Sequence, residues 1–273
     1  MQFGLDIAQQ RMPWSEIVGR ARFAEALGFT GVWGFDHFQP MYGEGPGECF
    51  EGQTTLAALT GVTERVRLGL LVAGMTYRHP SIFAAEAITI DHASGGRLEL
   101  AYGAAWFDKE HTELGIAFPE LRDRIDAFEE ALQIVRGLLT TDGFTFEGRH
   151  FSVTDATLQP RPVQQPTPPI WVGAFGERRM LPIVARHADV WHCAGPPSVL
   201  AAKAKVLDEL CEREGRDPAS VRRAASLSLE GEPDSIRRAI DAFADAGFTY
   251  LVCGWPSQGR ERIESFAASV LAG

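Results

Sequence analysis

Strand-like and helix-like segments alternate along the whole chain, and the count of that alternation constrains the fold more than any single motif does. A strand-like start at residues 1–7 precedes a helix opened by Pro13, with Trp14, Ile17, Val18, Ala21 and Leu27 on one face and Gly28 as its stop. The next strand, from Gly31 to Phe35, runs into Asp36-His37; a Gly- and Pro-rich loop over 41–52 then leads to a helix over 54–64. Residues 66–72 read as a third strand followed by a helix from Pro80, and residues 97–102 as a fourth. Leu121, Ile125, Phe128, Leu132, Val135 and Leu139 recur at three- and four-residue steps and predict the clearest amphipathic helix. Four further strands, at 170–173, 188–191, 221–229 and 249–253, are each followed by a helical pattern beginning near 177, 198, 234 and 259. Eight such units predict one α/β domain over residues 1–273, a (β/α)8 TIM barrel, with an open doubly wound sheet as the competing arrangement. The hairpin-like 144–151 and the proline-rich 159–169 are expected to form an insertion, about residues 143–168, after the fourth helix of this count.

Hydrophobic residues make up 45% of the 273, enough for a sizeable core. A formal net charge of -10 argues against nucleic-acid partners, whose phosphates need a basic footprint. The four cysteines (Cys49, Cys193, Cys211, Cys253) are scattered, so neither a disulfide framework nor a zinc site is expected. No basic-then-apolar leader is visible, and the apolar run 68–75 is too short to span a membrane. A soluble, cytoplasmic protein acting on a small molecule is the expectation.

In a barrel, function sits on the loops after each strand. That rule selects residues 6–9, Asp36-His37, 72–77, 103–106, 173–178, Trp191-His192, 228–230 and Gly254-Trp255, with Trp106, Phe175, Trp191 and Trp255 as candidate walls for a flat ligand. Asp36 and His37 are a poor metal pair, because neighbouring strand residues face opposite ways and no other ligand spacing joins them. Proton transfer or polarisation suits them better; a turn-capping carboxylate and a surface histidine is the plainer alternative. Gly173-Ala174-Phe175-Gly176-Glu177-Arg178 combines glycines that permit close approach with a helix start that favours an anion, or is an ordinary turn. Gly103-Ala104-Ala105-Trp106 leaves room for a planar ring, or is a tight turn. Asp108, Glu110 and His111 read as a solvated face, and Arg78 as surface or ligand-facing. No Gly-x-Ser-x-Gly surrounds Ser226 or Ser228.

Taken in order, these motifs resemble the luciferase-like monooxygenase superfamily, and within it the oxidoreductases that use the deazaflavin coenzyme F420. The resemblance covers nearly the whole chain. It is carried by Glu25-Ala26-Leu27-Gly28-Phe29 before Phe35-Asp36-His37-Phe38, then Tyr77-Arg78-His79-Pro80 and Ser94-Gly95-Gly96-Arg97-Leu98. Gly103-Ala104-Ala105-Trp106-Phe107, Glu110-His111, Pro169-Ile170-Trp171-Val172-Gly173, Gly176-Glu177-Arg178 and Ala188-Asp189-Val190-Trp191 complete it. The resemblance implies a homodimer with a cofactor at the C-terminal mouth: coenzyme F420 exchanging a hydride with a small organic substrate or, alternatively, reduced FMN with oxygen in a monooxygenase, or a barrel that binds cofactor without turnover. It implies His37 as proton donor, Asp36 orienting polar groups at the ring, and Trp106 with Trp191 packing on ring or substrate. Leu71-Val72 would form a bulge with a non-prolyl cis peptide behind the ring. Gly103, Ala104 and Ala105 would face the ribityl or phosphate portion, and Gly173, Ala174, Phe175, Gly176 and Arg178 the phosphate. Trp106 replaces an acidic residue of the sugar-phosphate dehydrogenase branch, which disfavours that reaction.

Overall fold

The computed structural model describes residues 1–271. Its strands are β1 (Gln2–Asp6), β2 (Gly31–Gly34), β3 (Arg67–Leu70), β4 (Ala73–Gly74), β5 (Leu98–Gly103), β6 (Phe144–Glu147), β7 (Ser152–Ala156), β8 (Ile170–Gly173), β9 (Val190–Cys193), β10 (Arg222–Leu227) and β11 (Tyr250–Cys253). Eight of them close a parallel ring in the order β1, β2, β3, β5, β8, β9, β10, β11 and back to β1. In register, Gly4 faces Gly31, Val32 faces Leu68, Leu68 faces Leu98, and Phe3 faces Leu251 across the closure. The (β/α)8 barrel expected from the alternation is therefore present. Its outer layer comprises α1 (Trp14–Ala26), α2 (Gly52–Thr60), α3 (Pro80–Ser94), α4 (Asp108–Leu114), α5 (Leu121–Thr140), α6 (Met180–His187), α7 (Pro197–Arg213), α8 (Pro233–Asp245) and α9 (Arg260–Phe266).

Three aromatic side chains fill the barrel axis. Trp33 and Trp171 lie 4.5 Å apart between ring centroids, and Tyr250 packs edge-on against both. Each polar atom of the cluster is satisfied: the Trp33 indole donates to the Tyr250 hydroxyl at 3.0 Å and the Trp171 indole to Glu99 at 2.5 Å. Gly4 and Gly69 make room for Trp33, since a Cβ on either would overlap its ring. Leu71 and Val72 lie on top of this cluster, so the aromatic stack supports the floor of the mouth.

Several element boundaries differ from the pattern reading. The third strand stops at Leu70; the Leu71–Val72 peptide is cis, and the chain resumes pairing with β5 as β4. An additional short helix, α4, lies before the long amphipathic α5, so the helix counted fourth in the sequence is α5, and the β6–β7 hairpin follows it as expected. That hairpin is anchored outside the barrel by Glu130, whose carboxylate accepts from the amides of Arg149, His150 and Phe151 at 2.8–3.0 Å. Helix α6 begins at Met180, three residues after the expected start.

Candidate active site

The C-terminal ends of β2, β3, β5, β8 and β9 surround a cavity of about 380 Å³ that brings together His37, Leu71, Val72, Gly103, Ala104, Ala105, Trp106, Gly173 and His192. Val72 shapes its floor. A Cβ on Gly103 would sit 2.6 Å from Val72 Cγ2, and one on Gly173 would sit 3.1 Å from Val72 Cγ1. A side chain at Gly103 would displace Val72, and one at Gly173 would crowd it, so Val72 forms an apolar surface between two small-residue walls.

His37 is buried at one edge, and its Nδ1 lies 3.3 Å from Glu110 Oε1. Glu110 is wholly buried and also accepts from the Tyr77 hydroxyl at 2.6 Å and from the amides of Phe38 and Gln39 at 2.7 and 3.0 Å. Burial opposes its ionisation, but the bonds from His37, Tyr77 and the two amides outweigh burial and hold the carboxyl below its usual range. A carboxylate can only accept, so the proton of His37 resides on Nδ1. Nε2 makes no hydrogen bond among the described residues. Phe107, Trp106 and Tyr77 flank the ring at 5.4, 5.9 and 6.5 Å. His111 stacks on Tyr77 at 4.7 Å, with Thr76 Oγ1 2.6 Å from Nε2 and the Phe107 carbonyl 2.7 Å from Nδ1. The expectation that Glu110 and His111 lie on a solvated face is therefore corrected: α4 turns both into the wall while Asp108, Lys109 and Glu113 remain outside.

Asp36 borders the same cavity, but its carboxylate is committed elsewhere. Oδ2 accepts from Arg78 Nη1 at 2.6 Å and from the Gly74 amide at 2.9 Å, and Oδ1 accepts from Arg78 Nη2 at 3.0 Å. Arg78 also pairs with Glu51 and Glu86. Burial raises the Asp36 carboxyl, and Arg78 and Gly74 only partly offset it. The two neighbours beyond the end of β2 therefore divide: His37 pairs with Glu110 at the cavity edge, and the Asp36 carboxylate is taken up by Arg78 and Gly74. Asp36 thus ties the end of β2 to the turn after β4 and does not present its carboxylate to a ligand, and Arg78 is neither surface nor ligand-facing.

Of the segment after β8, Gly173 lines the cavity, whereas Ala174, Phe175, Gly176 and Arg178 do not. Phe175 is 55% exposed and lies under Lys203, whose Nζ is 4.0 Å from the ring centre and 2.8 Å from Glu177. With that ring turned outward, the amides of residues 175–179 donate no hydrogen bond among the described residues. They precede α6, and unpaired amides at a helix start suit a phosphate. Trp191 does not face a ligand. It is fully buried, donates to the Ala174 carbonyl at 2.9 Å and packs on Phe248. Trp106 is 66% exposed at the rim.

On the other side of Leu71 is a second compartment of about 270 Å³, bounded by Asp6, Ser226, Ser228, Glu230 and Trp255. His192 Nε2 lies 3.2 Å from Ser226 Oγ and so joins the two. Burial pushes His192 down to about 4, leaving it a neutral hydrogen-bonding group at pH 7. Burial pushes Asp6 up to about 6, only partly offset by the Ala8 amide at 2.9 Å and the charge of Arg20. An acid raised on folding destabilises the native state above its folded value and costs nothing below its unfolded one. Asp6→Asn is therefore expected to stabilise the protein by about 1–3 kcal/mol at pH 7 and to lose that advantage near pH 4. Urea unfolding of both proteins at the two pH values measures this; equal stability at pH 7 would contradict it. Asp6 and Tyr77 fall among the strand-end residues that the barrel rule selects, without a role assigned to either, whereas Glu110 is the group that sequence reasoning missed; the partners of Glu110 and Tyr77 lie distant along the chain. Asp123, Asp126 and His150 form the only three-residue cluster with metal-ligand spacing among the described residues, but both carboxylates are paired with arginines.

A family model described as luciferase-like monooxygenase matches residues 1–230. The F420-dependent glucose-6-phosphate dehydrogenase of Microbacterium testaceum is 34% identical over 64% of this chain and 52% of its own length. The protein of the same name from Kineococcus radiotolerans is 27% identical over 99% and 96%. An FMNH(2)-dependent dimethylsulfone monooxygenase of Pseudomonas putida is 29% identical over 73% and 54%. The chain thus spans about half the length of two of these relatives and nearly all of the third. Among solved structures, an F420-dependent secondary alcohol dehydrogenase in complex with an F420-acetone adduct superposes with a TM-score of 0.88 over 99% of this chain and 98% of its own, at 19% identity. At that identity the likeness speaks for the fold.

Proposed function

The chain belongs to the luciferase-like monooxygenase family, and from that premise we propose that it is an oxidoreductase that moves a hydride between the deazaflavin coenzyme F420 and a small organic substrate. The observation that carries this reading is a buried histidine, held by an ionised glutamate, beside a flat apolar floor flanked by Gly103 and Gly173. The mouth fits such a cofactor in two respects. The Leu71–Val72 floor suits the ring, and the free amides of residues 175–179 suit its phosphate. When bound, the deazaflavin supplies a ring carbon able to accept or give a hydride. His37 would hold or move the proton at the substrate oxygen through Nε2, with Glu110 fixing the ring through Nδ1. The floor and Trp106 would exclude water from the reacting centre.

FMN is the second reading, favoured by the dimethylsulfone monooxygenase among the relatives. A homodimer and a cytoplasmic setting belong to the same proposal, the latter consistent with four free cysteines. No helix among the described residues is long and apolar enough to cross a membrane. Anaerobic incubation with oxidised deazaflavin and a panel of secondary alcohols tests the proposal. Loss of the deazaflavin's visible absorbance with at least one alcohol is expected. Oxygen uptake with reduced FMN and no change in the deazaflavin would overturn it.

A further inference from the structure

We propose that the compartment bounded by Asp6, Ser226, Glu230 and Trp255 is the substrate lobe, selecting neutral or cationic hydroxyl-bearing molecules over anionic ones, with Asp6 as the specificity-determining residue. This rests on the reading that a deazaflavin ring lies on the Leu71–Val72 floor. Leu71 borders both compartments, so a ring on that floor meets the second one directly. The free amides that suit the cofactor's phosphate follow β8, whereas this lobe is built at the ends of β1, β10 and β11, leaving it open to a second molecule.

The lining determines the charge of that molecule. No lysine or arginine borders either compartment among the described residues, while Asp6 and Glu230 both border this one. The nearby guanidiniums are committed: Arg20 bonds Glu16 at 3.0 Å and the Ile7 carbonyl at 3.1 Å and stacks 3.8 Å from the Trp255 ring centre. Arg262 bonds the carbonyls of Leu229 and Gly231. The Asp6 carboxylate uses Oδ1 for the Ala8 amide, and Oδ2 accepts nothing among the described residues. An ammonium or hydroxyl placed there gains a charge-assisted hydrogen bond; a carboxylate or phosphate meets two like charges, while the nearby cations, Arg20 and Arg262, lie outside the lining and are held by their own partners. Burial raises the Asp6 carboxyl by more than the Ala8 amide and the charge of Arg20 lower it. A volume of about 270 Å³ corresponds to roughly nine water volumes of ~30 Å³, the size of a small metabolite.

Three small secondary alcohols that differ in charge, 1-amino-2-propanol, 2-propanol and lactate, test this by ligand-observed NMR on the deazaflavin-loaded and the cofactor-free protein. The amino alcohol is expected to bind at least about tenfold tighter than lactate. Asp6→Asn retains the acceptor for Ala8 and is expected to bring the amino alcohol to within about twofold of 2-propanol. Lactate binding as tightly as the amino alcohol, a preference that survives Asp6→Asn, or no saturable binding of any of the three overturns the assignment. Failure of the deazaflavin to bind, with the charge preference intact in the cofactor-free protein, counts against the proposed function and leaves this lobe assigned.

Discussion

His37→Ala is expected to lower kcat by about 10²–10⁴-fold while changing deazaflavin affinity by less than about threefold, the range for loss of a positioned acid or base. The separation of the two effects follows from the site's construction. The floor that would carry the ring is made by Leu71, Val72, Gly103 and Gly173, and the amides suited to phosphate lie at 175–179. His37 contributes to neither. Its removal takes away a nitrogen held at the cavity edge and leaves the aromatic support beneath the floor untouched. Steady-state kinetics with the best alcohol, together with a deazaflavin titration of the same variant, measures both quantities. Unchanged kcat would remove His37 from the proton path without affecting the fold.

Glu110→Ala is expected to cost about 3–5 kcal/mol of stability, because it strips the partner from a buried histidine and leaves three further donors unsatisfied. Glu110→Gln distinguishes charge from packing, since an amide oxygen fills the same space but its NH₂ confronts a donor. The sign of the pH dependence is fixed by the lowered carboxyl. A group whose folded value is depressed contributes stability above its unfolded value, near 4.5 here, and loses it as pH falls through the folded value. The stability gap between wild type and Glu110→Gln should therefore be full at pH 7 and narrow below pH 4.5. A gap independent of pH would mean that Glu110 acts by shape alone. Because Glu110 fixes the His37 tautomer, both variants should also lose kcat.

The barrel was legible because burial on both faces makes each strand a short apolar run, and eight such runs with helices between them leave few arrangements. Gly103 and Gly173 were legible as small residues beside a ligand; their physical reason, the approach of Val72, needed three dimensions. Glu110 and His111 were misread because a seven-residue helix is too short to display a period, and its two inward residues are as polar as its outward ones. Asp36 was found at the right place and given the wrong partner, since Arg78 lies 42 residues away along the chain. Phe175 is turned outward by Lys203, a pairing that neither residue's neighbours signal. Asp6 lies at the end of the first strand like any strand-end carboxylate, and only the empty space beside it, lined by no lysine or arginine among the described residues, distinguishes it.

A parallel titration of the purified protein with oxidised coenzyme F420 and with FMN, followed by quenching of tryptophan fluorescence, bears most directly on the proposed chemistry. Trp33 and Trp171 lie under the floor and Trp106 at its rim, so a ring on Leu71–Val72 should quench strongly. Saturable quenching by the deazaflavin at a Kd at least about tenfold below that for FMN is the predicted result. FMN binding equally or more tightly, or no saturable quenching by the deazaflavin, would contradict it.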